Sequence, residues 1–263
     1  MASTGDRAYW EARLSERYAL DGVGFTALGP AFNEAMYRTR RDLFLRRVRP
    51  LVVARPDLAV LDVGSGTGFY LDLWRELGVR RLTGSDLTST AVERLRERHP
   101  GVELVRWDAG GEEPAPGGPY GAISAFDVLF HIVDDERYER ALRNLFAALE
   151  PGGFLLFTDN FVHGATVRGE TQVSRSLAEI EAAVSRAGFE VVARRPAFVL
   201  MNTPVDSSSP ALNGWWDWLR KAVDAIPVAG RVAGALLAPL EVALATRLAE
   251  GPSTELMVCR RPA

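Results

Sequence analysis

The chain has 263 residues, a single cysteine and a formal net charge of -3. That length allows one large domain, or a domain with an insertion, around a sizeable core. The slight acidity gives no global attraction to nucleic acid, and Cys259 alone excludes an intramolecular disulfide or a cysteine metal cluster.

Met1 to Tyr18 carries charges throughout and has no apolar core of the signal-peptide kind. No apolar run approaches the length needed to span a bilayer. The expectation is a soluble cytoplasmic protein.

Ala8 to Ala19 is expected to be helical, with Tyr9, Trp10, Leu14 and Tyr18 available to one face. Asp21 to Phe25 and Leu28-Gly29-Pro30 then break the chain. Phe32 to Val53 reads as a long helix with a solvated arginine face, which Pro50 is expected to end or kink.

Leu58 to Val63 is a short apolar run, read as a buried strand. Gly64, Gly66 and Gly68 follow at alternate positions, and Leu71 to Leu77 then has helical spacing. Strand, glycine turn and helix make a place where a ligand can touch the backbone and the free N–H groups of a helix start. A dinucleotide site would want G-x-G-x-x-G. Here the third glycine comes one residue early, and Asp62 stands ahead of the turn, where it would repel a pyrophosphate but could receive an ammonium group.

This stretch resembles the first motif of the class I S-adenosylmethionine-dependent methyltransferases, an acidic residue followed by G-x-G-x-G. The resemblance implies S-adenosylmethionine as cofactor, with Asp62, Gly64, Ser65, Gly66 and Gly68 around it. A dinucleotide turn or a purely structural turn stays open at this point.

Arg81 to Leu87 reads as a second strand ending in Asp86, about 18 residues past Gly68, close to the spacing at which a carboxylate reaches ribose hydroxyls. An acidic helix cap is the alternative. Leu87 follows it into the site. Val102 to Trp107 is a third strand. The resemblance implies that Asp108 accepts from the adenine amino group and that the Ala109 N–H faces a ring nitrogen; a turn aspartate is the plain reading. Tyr120 to Phe126 is a fourth strand that delivers Phe126 to the cofactor, then Asp127 and His131.

Glu150-Pro151-Gly152-Gly153 turns into a fifth strand, another trait of the resembled family. Leu177 to Ala187 is a helix and Phe189 to Ala193 a sixth strand. Alternating strands and helices from Leu58 to Ala193 predict an α/β fold with a doubly wound, mostly parallel sheet. The family's sheet has seven strands and ends in an antiparallel hairpin, so Thr254 to Arg260 would be the last strand. The expected organisation is an N-terminal helical cap over 1–55, a core over 56–196 and 253–263, and a helical insertion over 197–252.

Methyl transfer needs alignment, and a base if the acceptor is a hydroxyl. His131 lies just past the fourth strand, where parallel sheets place ligands. It is the candidate base, with Asp127 beside it; a packing histidine is the alternative. Tyr9, Tyr18, His163, Trp215 and Trp218 are candidate acceptor contacts, and Trp10 and Phe25 candidate lid residues. Some relatives hold a metal with E-x-x-E-H; here Phe130 replaces the second carboxylate of Asp127-Val128-Leu129-Phe130-His131, so no metal is expected.

The expected activity is methylation of a small molecule, most simply at oxygen. Carbon or nitrogen methylation of an aromatic or lipid-like product, an NAD enzyme and a non-catalytic binding module remain alternatives. The apolar segment Ile226 to Leu248, with Pro227 and Pro239, is expected to break into helical pieces. With the N-terminal helices it would roof a largely apolar acceptor pocket. A homodimer contact, or a docking patch for a lipid-like substrate, is the competing reading.

Overall fold

The computed structural model describes residues 4–20, 28–226 and 228–263, the first three as backbone only. Phe25 and Pro227 therefore lie outside the described residues.

Among the described residues the chain begins with the helices α1 (Thr4–Glu16) and α2 (Gly29–Ala54). The core then alternates β1 (Ala59–Val63), α3 (Phe69–Glu76), β2 (Arg81–Asp86), α4 (Ser89–Arg98), β3 (Glu103–Arg106), β4 (Tyr120–Ala125), α5 (Asp135–Ala148) and β5 (Leu149–Asp159). A short ribbon, β6 (Val167–Arg168) and β7 (Val173–Ser174), precedes α6 (Leu177–Arg186) and β8 (Glu190–Pro196). Two insertion helices, α7 (Pro210–Ala225) and α8 (Ala229–Arg247), lead to β9 (Glu255–Arg260).

Seven strands form one sheet in the order β3-β2-β1-β4-β5-β9-β8. β1 to β5 pair in parallel, and β9 runs antiparallel to both β5 and β8. The chain order reverses between β1 and β4, the topological switch point at which open α/β sheets bind ligands. Every residue of β1 and of β4 is buried, as central parallel strands require. The sheet is covered on one face by α5 and α6, whose Leu142, Leu145 and Ile180 pack on Leu61, Ile123 and Leu155. On the other face α2 and α3 bring Phe44, Val48 and Trp74 onto Val60 and Ala122.

Both Pro50 and Pro239 lie inside helices. α2 runs through Pro50 and ends four residues later, at Ala54, so the lost N–H costs a single helical bond close to the helix end. α8 runs unbroken through Pro239. Tertiary packing outweighs the local penalty there: Gly230 and Gly234 of α8 lie against Phe32 and Ala35 of α2, and a Cβ on Gly234 would stand 2.5 Å from that of Ala35. α8 is thus a single 19-residue helix that, by length and composition, could cross a membrane, contrary to the sequence expectation.

The arginines of α2 are also not one solvated face. Arg38 and Arg41 pair at the surface with Glu34 and Glu76. Arg40 turns inward to Asp127, and Arg47 donates to the backbone oxygens of Pro196 and Ala245 at 2.7 and 2.9 Å.

Candidate active site

Gly64, Gly66 and Gly68 all have positive φ, at 68°, 51° and 86°, so the turn after β1 needs three residues without a Cβ penalty. They do different jobs. Gly64 and Gly66 border a cavity of about 160 Å³ together with Ser65 and Thr67. Gly68 faces away from it: a Cβ there would lie 2.5 Å from the His99 ring and 2.7 Å from Leu95. Its role is close packing of α3 on α4, so it is not a ligand contact. His99, 2% exposed, is correspondingly part of the core.

Asp62 also departs from its expected role. Its carboxylate lies beneath the turn and off the cavity wall. One oxygen accepts from the Ser124 hydroxyl at 2.6 Å, which in turn accepts from the Trp74 indole N–H at 2.9 Å. The other oxygen has no partner among the described residues. Burial first, and then the charge of Asp86, push this carboxyl up to about 7. Direct pairing with an ammonium group is not what this geometry offers.

Asp86 ends β2 on the cavity wall. One oxygen accepts from the Thr88 N–H and hydroxyl, at 2.9 and 2.7 Å, and the other from the Gly66 N–H at 2.9 Å. A carboxylate has about four acceptor positions, so roughly one is left for a ligand hydroxyl rather than two. Leu87, Ala109 and Phe126 line the same cavity. So does Asp108, whose two oxygens are held by the Arg137 guanidinium at 3.1 and 2.9 Å. Arg137 is a site residue with no local signal in the sequence, since it reaches Asp108 from α5. Trp107, Val128 and Ile132 complete an apolar wall suited to a planar base.

α1 covers this cavity with Trp10 and Leu14. Glu11 anchors it by accepting from the Ser89 N–H, the Thr90 N–H and the Thr90 hydroxyl at 2.9, 2.8 and 2.5 Å. These are free donors at the start of α4, where a negative charge is favoured. Tyr18 donates to the Gly66 carbonyl at 3.0 Å, so it contacts the glycine turn.

A second cavity of about 400 Å³ adjoins the first. Trp10, Tyr37, Asp127 and His131 border both. Asp127 has φ 57°, unusual for a residue with a side chain. It is held there by an ion pair with Arg40 and by Thr158, which accepts from its N–H at 2.7 Å and donates to its carboxylate at 2.9 Å. His131 Nδ1 lies 2.7 Å from the Thr171 carbonyl. A carbonyl only accepts, so Nδ1 carries the proton and Nε2 the lone pair in the neutral ring. Trp10 packs edge-on against the imidazole at 4.8 Å.

The second cavity is of mixed polar and apolar lining, against the expectation of a largely apolar pocket. Tyr9 lines it, with Asn33, Asn160 and Gln172 among its walls; Asn202, Thr203 and Val205 come from the root of the insertion. Trp215 and Trp218 are not on it. Trp218 is 61% exposed, and Trp215 lies against it while donating to the Leu200 carbonyl at 3.3 Å. α7 turns Trp216, Leu219 and Val223 inward instead. His163 is also elsewhere, clamped to Asp206 through its backbone N–H at 2.8 Å and its ring at 2.6 Å. It ties the loop after β5 to the insertion.

Residues 60–153 match the family described as a methyltransferase domain. A malonyl-[acyl-carrier protein] O-methyltransferase of Pectobacterium atrosepticum is 31% identical over 114 residues, covering 42% of each protein, so the chain spans less than half of that relative. The CcbJ methyltransferase of Streptomyces caelestis superposes with a TM-score of 0.56 at 15% identity, over 98% of both chains. The N-methyltransferase NodS of Bradyrhizobium japonicum WM9, solved with S-adenosyl-l-homocysteine, gives 0.55 at 17% identity, over 97% of this chain and 99% of its own. At these identities the two structures speak for the fold.

Proposed function

We propose that this chain is a class I S-adenosylmethionine-dependent methyltransferase that methylates a small molecule at oxygen. Two adjoining cavities that share Trp10, Tyr37, Asp127 and His131 carry the reading, because a donor in one and an acceptor in the other would meet at these residues.

The residues of the first cavity fit the cofactor. The backbone of Gly64 and Gly66 is open to it, Asp86 keeps about one acceptor position for a ribose hydroxyl, and Asp108 and Ala109 stand beside an apolar slot for the base. When bound, S-adenosylmethionine supplies a methyl group already activated by the sulfonium charge. The protein's tasks are alignment and proton removal. α1 keeps water from the donor side through Trp10 and Leu14. Arg40 and Thr158 hold Asp127 at the border of the two cavities. His131, with its Nδ1 proton committed to Thr171, accepts the acceptor's hydroxyl proton at Nε2.

That the curated relative is an O-methyltransferase by name supports oxygen as the acceptor atom. One observation favours a second reading: Tyr9, Trp10, Tyr37 and Phe130 gather on the acceptor side, and such aromatic faces suit an amine or an electron-rich ring. His131→Ala separates the two. On the oxygen reading it lowers turnover by about a hundredfold or more and leaves donor affinity nearly unchanged. Full activity in this variant would reject the base assignment and favour nitrogen or carbon. Equal loss of donor binding would make His131 a packing residue.

A further inference from the structure

The insertion presents an inverted helix. α8 buries its small residues, Gly230, Gly234 and Ala245, against the rest of the protein and turns one row of large aliphatic side chains outward, while Leu237, Val242 and Leu244 are half-buried. Val228, Val232, Leu236 and Leu240 follow at intervals of four and are 57%, 50%, 70% and 48% exposed. Ala235 and Pro239 are exposed on the same face. An ordinary surface helix does the opposite, because each large aliphatic side chain left in water forgoes its transfer energy.

The exposed charges of α8 itself are of one sign. The only carboxylate of α8, Glu241, is buried and accepts from the backbone N–H groups of Val199, Leu200 and Met201. Arg231 and Arg247 are exposed near the two ends of the helix, and neither has an ion pair among the described residues. The exposed charges of α7, Arg220 and Lys221 against Asp217 and Asp224, cancel.

We propose that the outer face of α8 lies on an anionic lipid surface, with the aliphatic row in the acyl boundary and Arg231 and Arg247 at the headgroups. Spanning the bilayer is excluded by the other face, where Gly230 and Gly234 touch α2 and Glu241 holds the chain at 199–201. A second copy is the poorer occupant. An antiparallel two-fold pairing of α8 sets Arg231 against Arg247, and a parallel one sets each arginine against its equivalent. A phosphate-bearing surface meets both.

Cosedimentation of the full chain with phosphatidylcholine vesicles, with and without phosphatidylglycerol, tests this. Binding is expected to the mixed vesicles, to weaken with salt, and to fall about fivefold for each of Arg231→Gln and Arg247→Gln. Leu236→Gln with Leu240→Gln should abolish it. These positions are exposed and remote from both cavities, so affinity for S-adenosylhomocysteine should be unchanged and serves as the folding control. No vesicle binding by the parent chain overturns the proposal, as does binding that the glutamine pair leaves intact. A concentration-dependent dimer that the same pair dissolves, without vesicle binding, assigns the face to a second copy and equally overturns it.

Discussion

Removing Glu11 should loosen the cover of the donor cavity. Its carboxylate holds three donors at the start of α4, while Trp10 and Leu14 on the same helix close the cavity. A hydrogen bond to a charged group is worth about 1.5–3 kcal/mol. Glu11 is only partly buried, so solvent screening reduces the effective loss to about 1–2 kcal/mol. The Tyr18 contact with Gly66 and the Trp10 contact with His131 remain in the variant. Glu11→Ala should therefore speed dissociation of S-adenosylhomocysteine by about five- to thirtyfold, with Glu11→Gln intermediate because an amide oxygen still accepts. Stopped-flow tryptophan fluorescence reads this, since Trp10 and Trp107 both line the cavity. A dissociation rate unchanged in Glu11→Ala would refute the idea that α1 is held shut by this carboxylate.

Asp86→Ala removes the acceptor left for the ribose and the tie to the Gly66 N–H, so calorimetry should show donor affinity reduced by about ten- to a hundredfold; unaltered affinity would remove Asp86 from the site. Asp62 gives a pH dependence. Its folded value, pushed up to about 7, exceeds an unfolded value of about 4, so its contribution is complete below about pH 4 and is lost as pH rises through about 7. Asp62→Asn should spare the ligand-free protein up to about 4 kcal/mol of that loss, seen as a flatter curve of urea-unfolding stability against pH. Part of the slope should persist, because burial also pushes Asp159 up to about 7. Parallel curves for parent and variant would contradict this account of Asp62.

The central sheet was legible because its signals are local. Leu58 to Val63 is apolar, the three glycines enforce a turn, and Asp86 stands at a strand end with a fixed spacing. What the sequence concealed depends on contacts between distant segments. Arg40 is one arginine among several on α2, and only the fold reveals that it meets Asp127. Glu11 and Arg137 reach their partners across 78 and 29 positions. The tryptophans of α7 misled because aromatic residues suit a pocket wall and a helix surface equally. Proline rules failed at Pro239 because packing on α2 outweighs a local penalty.

The insertion leaves the sheet and rejoins it at nearly one point. The N–H groups of Ala197 and Phe198 donate to the Thr254 carbonyl at 2.9 and 3.2 Å, and Asn202 reaches the Thr254 hydroxyl at 3.0 Å. Its contributions to the second cavity, Asn202, Thr203 and Val205, all come from this neck, while α7 and α8 lie beyond it. Sequence drift in the two helices can thus remodel what the exterior meets without redrawing the walls of the second cavity. Drift in the neck can reshape the second cavity, where we propose the acceptor binds, while leaving the exterior as it was. The two properties can evolve separately within one excursion of the chain.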